Sequence, residues 1–165
     1  MKGGKALPIF RILVVDDEES LREMLKEFLE GEGMLVELAQ NGREALEKLR
    51  SLSLDLILLD LRMPGMSGIE VLQEIKKEEP ELPVVVITAY GSVDNAVETL
   101  KMGAFDFITK PFKLEELLNT ISRALEVERL KRENQYLLEE MQDKFYFEGV
   151  VGQSPRMKEV MRVAS

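Results

Sequence analysis

The stretch Leu54-Asp55-Leu56-Ile57-Leu58-Leu59-Asp60-Leu61 constrains this chain more than any other. Six of its eight residues are aliphatic, with no polar alternation to mark a wet face. Such a run suits a strand buried on both faces of a parallel sheet. The run leads into Asp60, and Met63-Pro64-Gly65 then forces a turn. A carboxylate at the end of a buried strand is costly unless a cation or donors meet it. Chemistry is therefore expected at Asp60.

Four further strand-like runs surround it. Phe10 to Val15 is apolar and stops at Asp16-Asp17-Glu18-Glu19; Met34 to Ala39 is a short second run that turns at Asn41-Gly42. Pro83 to Thr88 and Phe105 to Lys110 follow the opening stretch. Between them the apolar residues recur at helical spacing: Leu21, Met24, Leu25, Phe28 and Leu29; then Ala45, Leu46 and Leu49; then Ile69, Leu72 and Ile75; then a helix over Ser92 to Met102 closed by Gly103. A fifth helix starts near Leu114. Five β-α units in succession predict an α/β fold with a doubly wound parallel sheet and right-handed crossovers. In that class ligands sit beyond the carboxyl ends of the strands, where strand order reverses.

Composition removes several chemistries. The 165 residues include no Cys and no His, which excludes disulfides, thiolate catalysis, His-ligated metals and the usual general base. A net charge of −9 argues against direct binding of nucleic acid or anionic lipid by this stretch of chain. No apolar run reaches the roughly 20 residues of a membrane span, so a cytoplasmic setting is expected.

What remains is a constellation. Asp16, Asp17 and Asp60 fall at or just past strand ends, so the fold brings three carboxylates together. Carboxylates sharing a pocket repel, and a hard, oxygen-seeking divalent ion such as Mg²⁺ relieves them. Thr88 and Lys110 end their strands on the same rim, a hydroxyl and an ammonium suited to phosphoryl oxygens. Singly, an Asp pair is an ordinary turn or cap and a Lys-Pro step an ordinary loop start. Jointly they describe a site for phosphoryl transfer with a carboxylate nucleophile, giving an aspartyl-phosphate.

These residues resemble those of a response-regulator receiver domain. The likeness runs from about Phe10 to Leu125 and rests on Asp16-Asp17, Asp60 with Met63-Pro64-Gly65, Thr88-Ala89 and Lys110-Pro111-Phe112. It implies a flavodoxin-like sheet of strand order 2-1-3-4-5, with Asp60 as phosphoacceptor and a sensor histidine kinase as donor. It also implies that Mg²⁺ is held by Asp17, Asp60 and the Arg62 backbone carbonyl, with Asp16 acting partly through water. Thr88 and Lys110 would bind the phosphoryl group, the Lys110-Pro111 bond would be cis, and Thr88 with Phe107 would form the switch. Phe107 stands where many receivers carry Tyr, so no phenol hydrogen bond can report the active state. No turnover of a separate substrate is expected. Val93 to Glu98 and Met102 to Phe107 resemble the nitrogen-regulatory-protein-C-like branch, and Val150 to Ser165 is similar to the start of its sigma-54-activating ATPase domain.

Two other Asp- or phosphate-using classes fit less well. A haloacid-dehalogenase-like phosphatase wants an acid–base Asp two residues after its nucleophile, where this chain has Arg62. A flavin-binding flavodoxin wants a Ser/Thr/Gly-rich phosphate loop after the first strand, where Asp16-Asp17-Glu18-Glu19 would repel it.

The fifth helix predicts its own function. From Leu114 to about Phe145 there is no Gly or Pro, and Glu148 to Pro155 is expected to break the helix. Val127, Leu130, Asn134, Leu137 and Met141 are spaced 3, 4, 3, 4, the repeat of a coiled-coil seam. Asn134 at an a position favours an in-register parallel dimer. The expected organisation is a disordered tail over 1–9, a receiver over 10–126, a coiled-coil linker that makes a homodimer over 127–147, and the start of an ATPase domain over 148–165.

Overall fold

In the computed structural model, residues 9–89 and 93–151 are described, and the chain falls into two compact units that divide after Leu125. The expected tail over 1–9, save Ile9, and the expected ATPase start beyond Val151 lie outside the described residues. The elements alternate strictly: β1 (Arg11–Val15), α1 (Glu19–Gly31), β2 (Leu35–Ala39), α2 (Gly42–Ser51), β3 (Leu56–Asp60), α3 (Gly68–Glu78), β4 (Val84–Ala89), α4 (Val93–Lys101), β5 (Asp106–Lys110) and α5 (Leu114–Val151).

The five strands form one parallel sheet in the order β2-β1-β3-β4-β5. This is the doubly wound α/β sheet and strand order expected. Its central strand β3 is buried at every position, Asp60 included. Alternation along the strands splits the core in two. Leu13, Val15, Ile57, Leu59, Val84 and Val86 face Ala45, Leu46 and Leu49 of α2 and Val71, Leu72 and Ile75 of α3. Ile12, Val14, Leu56, Leu58, Val85, Ile87 and Ile108 face Leu25 and Leu29 of α1 and Leu117, Ile121 and Ala124 of α5. A sheet covered on both faces is why its strands read as continuous apolar runs.

Local signals set the helix starts. The Asn41 side chain accepts from the Glu44 amide, and Ser67 and Glu70 form a reciprocal capping box ahead of α3. Two helical faces differ from expectation. Met24 is exposed, because it lies about 100° of helix from Leu25 and falls at the edge of the face centred there. On α3, Val71 is buried and Ile69 is only half-buried, since the buried face is set by Gly68, Leu72 and Ile75.

Helix α5 also runs past its expected stop near Phe145, through Gly149 to Val151. A single helical glycine costs only about 1 kcal/mol relative to alanine and does not by itself end a helix. Within the second unit, Val127, Leu130, Leu137 and Met141 are exposed, Leu137 at 57%. Arg129 pairs there with Glu126 (2.8 Å) and Glu133 (2.6 Å) on the same helix.

Candidate functional site

The strand order reverses between β1 and β3, and the site forms there. Val15 pairs with Leu59, so the residues that follow, Asp16 and Asp60, emerge side by side at the carboxyl edge of the sheet. The backbone amide of Asp16 still donates to the Ala39 carbonyl (3.1 Å), which ties it to the end of β2. Asp60 ends β3, and Gly68 packs so closely beneath it that a Cβ there would lie 2.6 Å from the Asp60 carbonyl oxygen. Gly65, at φ +82°, makes the turn between them in a region that disfavours other residues.

Carboxylate oxygens of Asp16, Asp17 and Asp60 all lie within 4.8 Å of one another. Asp16 and Asp60 are almost wholly buried, at 1% and 3% exposure, while Asp17 is exposed. Lys110, at the end of β5, reaches across with Nζ 3.2 Å from Asp16 Oδ2 and 3.6 Å from Asp60 Oδ2. Two backbone amides complete the set. Glu18 N–H donates to Asp16 Oδ1 (2.9 Å), and Arg62 N–H donates to Asp60 Oδ1 (3.1 Å).

One ammonium cannot neutralise three carboxylates. Burial pushes Asp60 up to about 6, and the Asp16 and Asp17 charges push the same way; Arg62 N–H and Lys110 pull it down without winning. Burial also works against the charge on Lys110, but Asp60 and Asp16 outweigh it and hold its pKa above the usual lysine value. The ammonium is fixed and charged, and the cluster still carries excess negative charge.

That excess fits a small dication. Two oxygens bound to one Mg²⁺ at about 2.1 Å are at most about 4.2 Å apart, so small side-chain rotations would close this triad on an ion. The donor set is all oxygen, as a hard cation requires.

The remaining expected residues stand at different distances from this chemistry. Thr88, buried at the end of β4, directs its hydroxyl to the Ala89 carbonyl at 3.4 Å rather than to a carboxylate. Arg62 contributes its backbone amide. The Lys110-Pro111 peptide bond is cis. Phe107 pairs in register with Val86 and is half-buried against the core on the α2/α3 side. An apolar cleft of about 460 Å³ borders the cluster, between Leu21 and Met24 of α1 and Ala89, Pro111, Phe112 and Leu114. Val127, Leu130, Asn134, Leu137 and Met141 belong to the second unit.

The sequence reading missed one residue. Arg22, one turn into α1, donates from Nη1 to the Asp16 carbonyl oxygen at 2.7 Å. Its signal was an Arg six residues after the first Asp of the pair, within reach of the loop it follows.

Comparison with known proteins decides the family. The profile of the response regulator receiver domain matches residues 12–122. The chain belongs to the response regulator receiver family. Receivers are phosphorylation-dependent switches of two-component systems, and the resemblance read from Asp16-Asp17, Asp60, Thr88 and Lys110-Pro111 is borne out at the family level. The chain is 38% identical over 154 residues to the regulatory protein AtoC of Escherichia coli K12, covering 93% of this chain and 33% of that one. It is 37% identical over 154 residues to the DNA-binding transcriptional regulator NtrC of the same organism, covering 92% and 32%. It thus spans about a third of the length of the curated relatives it matches. Among solved structures, a response regulator receiver domain protein from Clostridium thermocellum superimposes with a TM-score of 0.71 at 35% identity, over 74% of this chain and 98% of that one. Among the described residues no helix is long and apolar enough to cross a membrane.

Proposed function

We propose that this receiver works in the cytoplasm, accepts a phosphoryl group on Asp60 from a sensor histidine kinase and thereby controls an attached sigma-54-activating ATPase. The observation that carries the reading is the convergence on Asp60 of two further carboxylates and the Lys110 ammonium, all at the strand-order reversal. An Asp60 oxygen attacks phosphorus; the bond to the donor's nitrogen or acyl oxygen breaks, and its electron pair leaves with the donor. Lys110, held charged by Asp16 and Asp60, turns to the transferred oxygens. Thr88, whose hydroxyl among the described residues makes one long bond, to its neighbour's carbonyl, would swing toward them and leave space for Phe107.

Asp16, Asp17 and Asp60 would hold Mg²⁺ with the Arg62 carbonyl as a further ligand, and the ion would neutralise charge on the phosphoryl oxygens. Arg62 stands at the second position past Asp60, where a haloacid-dehalogenase-like phosphatase would carry its acid–base Asp, which supports a switch over turnover of a separate substrate. We place the receiver at 10–126, a linker at 127–147 and the start of an ATPase domain at 148–165. The linker would pair two copies in parallel through Val127, Leu130, Asn134, Leu137 and Met141. The exposure of the four apolar members supports this, since a partner helix would cover them.

The test is incorporation of labelled phosphoryl from acetyl phosphate, with Mg²⁺ or with excess chelator. Incorporation is expected only with the metal. Equal incorporation in chelator would overturn the role given to the carboxylate triad.

A further inference from the structure

The three carboxylates of the site are not held equally. Asp16 is fixed at both oxygens, by Glu18 N–H at 2.9 Å and Lys110 Nζ at 3.2 Å. Asp60 is fixed by Arg62 N–H at 3.1 Å and by its burial at the end of β3. Asp17 is exposed, and among the described residues none donates a hydrogen bond to its carboxylate. Yet its oxygen lies within 4.8 Å of the other two. The aim of Asp17 therefore rests on its backbone.

That backbone is clamped at one atom. The carbonyl oxygen of Asp16 belongs to the peptide unit whose nitrogen is that of Asp17. Because the unit is planar, fixing the oxygen fixes the direction in which the Asp17 Cα leaves it. Arg22 Nη1 grips that oxygen at 2.7 Å, and the Arg22 backbone amide holds the Glu18 carbonyl at 3.1 Å, closing the loop onto α1. On the other side, Asp16 N–H is tied to Ala39.

We infer that Arg22 is a positioning residue for metal binding: it orients the Asp16–Asp17 peptide so that the Asp17 carboxylate faces Asp16 and Asp60. The inference rests on the proposed Mg²⁺ site. Arg22 acts through the Asp16 carbonyl, the group its guanidinium holds.

Electrostatics alone predicts the opposite of positioning. A guanidinium beside an acidic cluster repels an incoming dication, so removing it should tighten Mg²⁺ binding. Loss of orientation should weaken it. Supporting groups behind metal ligands typically change affinity by about 10- to 100-fold when removed.

The measurement is Mg²⁺ affinity of the 165-residue chain by titration calorimetry, for wild type, Arg22→Met and Arg22→Gln. Met keeps the aliphatic stem and loses the donor. Gln is too short to reach, and it carries the test if the Met variant does not fold. The expected result is about ten-fold weaker Mg²⁺ binding. The Mg²⁺ concentration for half-maximal phosphorylation by acetyl phosphate should rise by the same factor, while the rate at saturating Mg²⁺ is kept. A brace that only stabilised the loop would lower urea resistance in chelator and leave Mg²⁺ affinity unchanged. Unchanged or tighter binding in a folded variant, beside a wild type that binds, overturns the role of Arg22 alone. A wild type that binds no Mg²⁺ removes the metal site and this inference with it.

Discussion

Replacing Asp60 by Asn should stabilise the metal-free fold, and by an amount that depends on pH in a defined way. Asp60 is 3% exposed and its pKa is raised from 3.8 to about 6, by burial first and then by Asp16 and Asp17. A carboxyl whose folded pKa exceeds its unfolded one favours the native state fully below the unfolded value and loses that advantage as pH rises through the folded value. The window therefore runs from about pH 4 to just above pH 6. A shift of about two units at ~1.36 kcal/mol each makes ionised Asp60 cost about 3 kcal/mol at pH 7.5 relative to acid. Asn carries no charge at any of these values. Lys110 keeps Asp16 at 3.2 Å in the variant, so the substitution does not strand the ammonium. Urea unfolding of wild type and Asp60→Asn in chelator, at several pH values from 4 to 7.5, confines the difference to Asp60 and the groups its charge reaches, Asp16, Asp17 and Lys110. Over this range the stability difference should grow by about 2.4 kcal/mol in favour of Asn as pH rises, the rest of the effect lying below pH 4. Saturating Mg²⁺ should shrink it by stabilising the wild type. A difference that stays flat across this range would refute the claim that Asp60 is an uncompensated buried charge.

Other consequences follow from packing and pairing. Gly68→Ala would drive a Cβ into Leu61 Cα and the Asp60 carbonyl beneath the site, and should cost about 1–3 kcal/mol in urea unfolding. Gly31→Ala, with nothing within 4 Å of its Cβ, should be neutral or gain up to about 1 kcal/mol. Asn134→Leu should keep or strengthen self-association while loosening its stoichiometry, read by sedimentation. A wild type that stays monomeric at high concentration, with and without a phosphoryl mimic, would contradict the pairing linker.

The sheet was legible because β1, β3 and β4 are buried on both faces and so announce themselves as unbroken apolar runs. The acidic site was legible because strand ends in a parallel sheet share one edge, which brings Asp16, Asp60 and Lys110 together although the first and last are 94 positions apart. Beyond the α3 face, where Val71 rather than Ile69 is buried, three features escaped. Met24 counts as apolar in any helical pattern, but its place at the margin of a face is decided by how α1 is rotated onto the sheet. The stop of α5 was drawn too early, because a lone Gly149 weighs less than the residues around it. Arg22 escaped because its bond goes to a backbone carbonyl, and no side-chain pattern advertises a main-chain acceptor.

The central claim is that Asp60 takes the phosphoryl group, and mapping the modified residue tests it most directly. The chain would be incubated with acetyl phosphate and Mg²⁺, trapped with borohydride to reduce any acyl phosphate, digested and sequenced by mass spectrometry. The account predicts reduction at Asp60, none at Asp16 or Asp17, and no trapped product in Asp60→Asn. Trapping at another carboxylate in wild type, or undiminished trapping in Asp60→Asn, would contradict it.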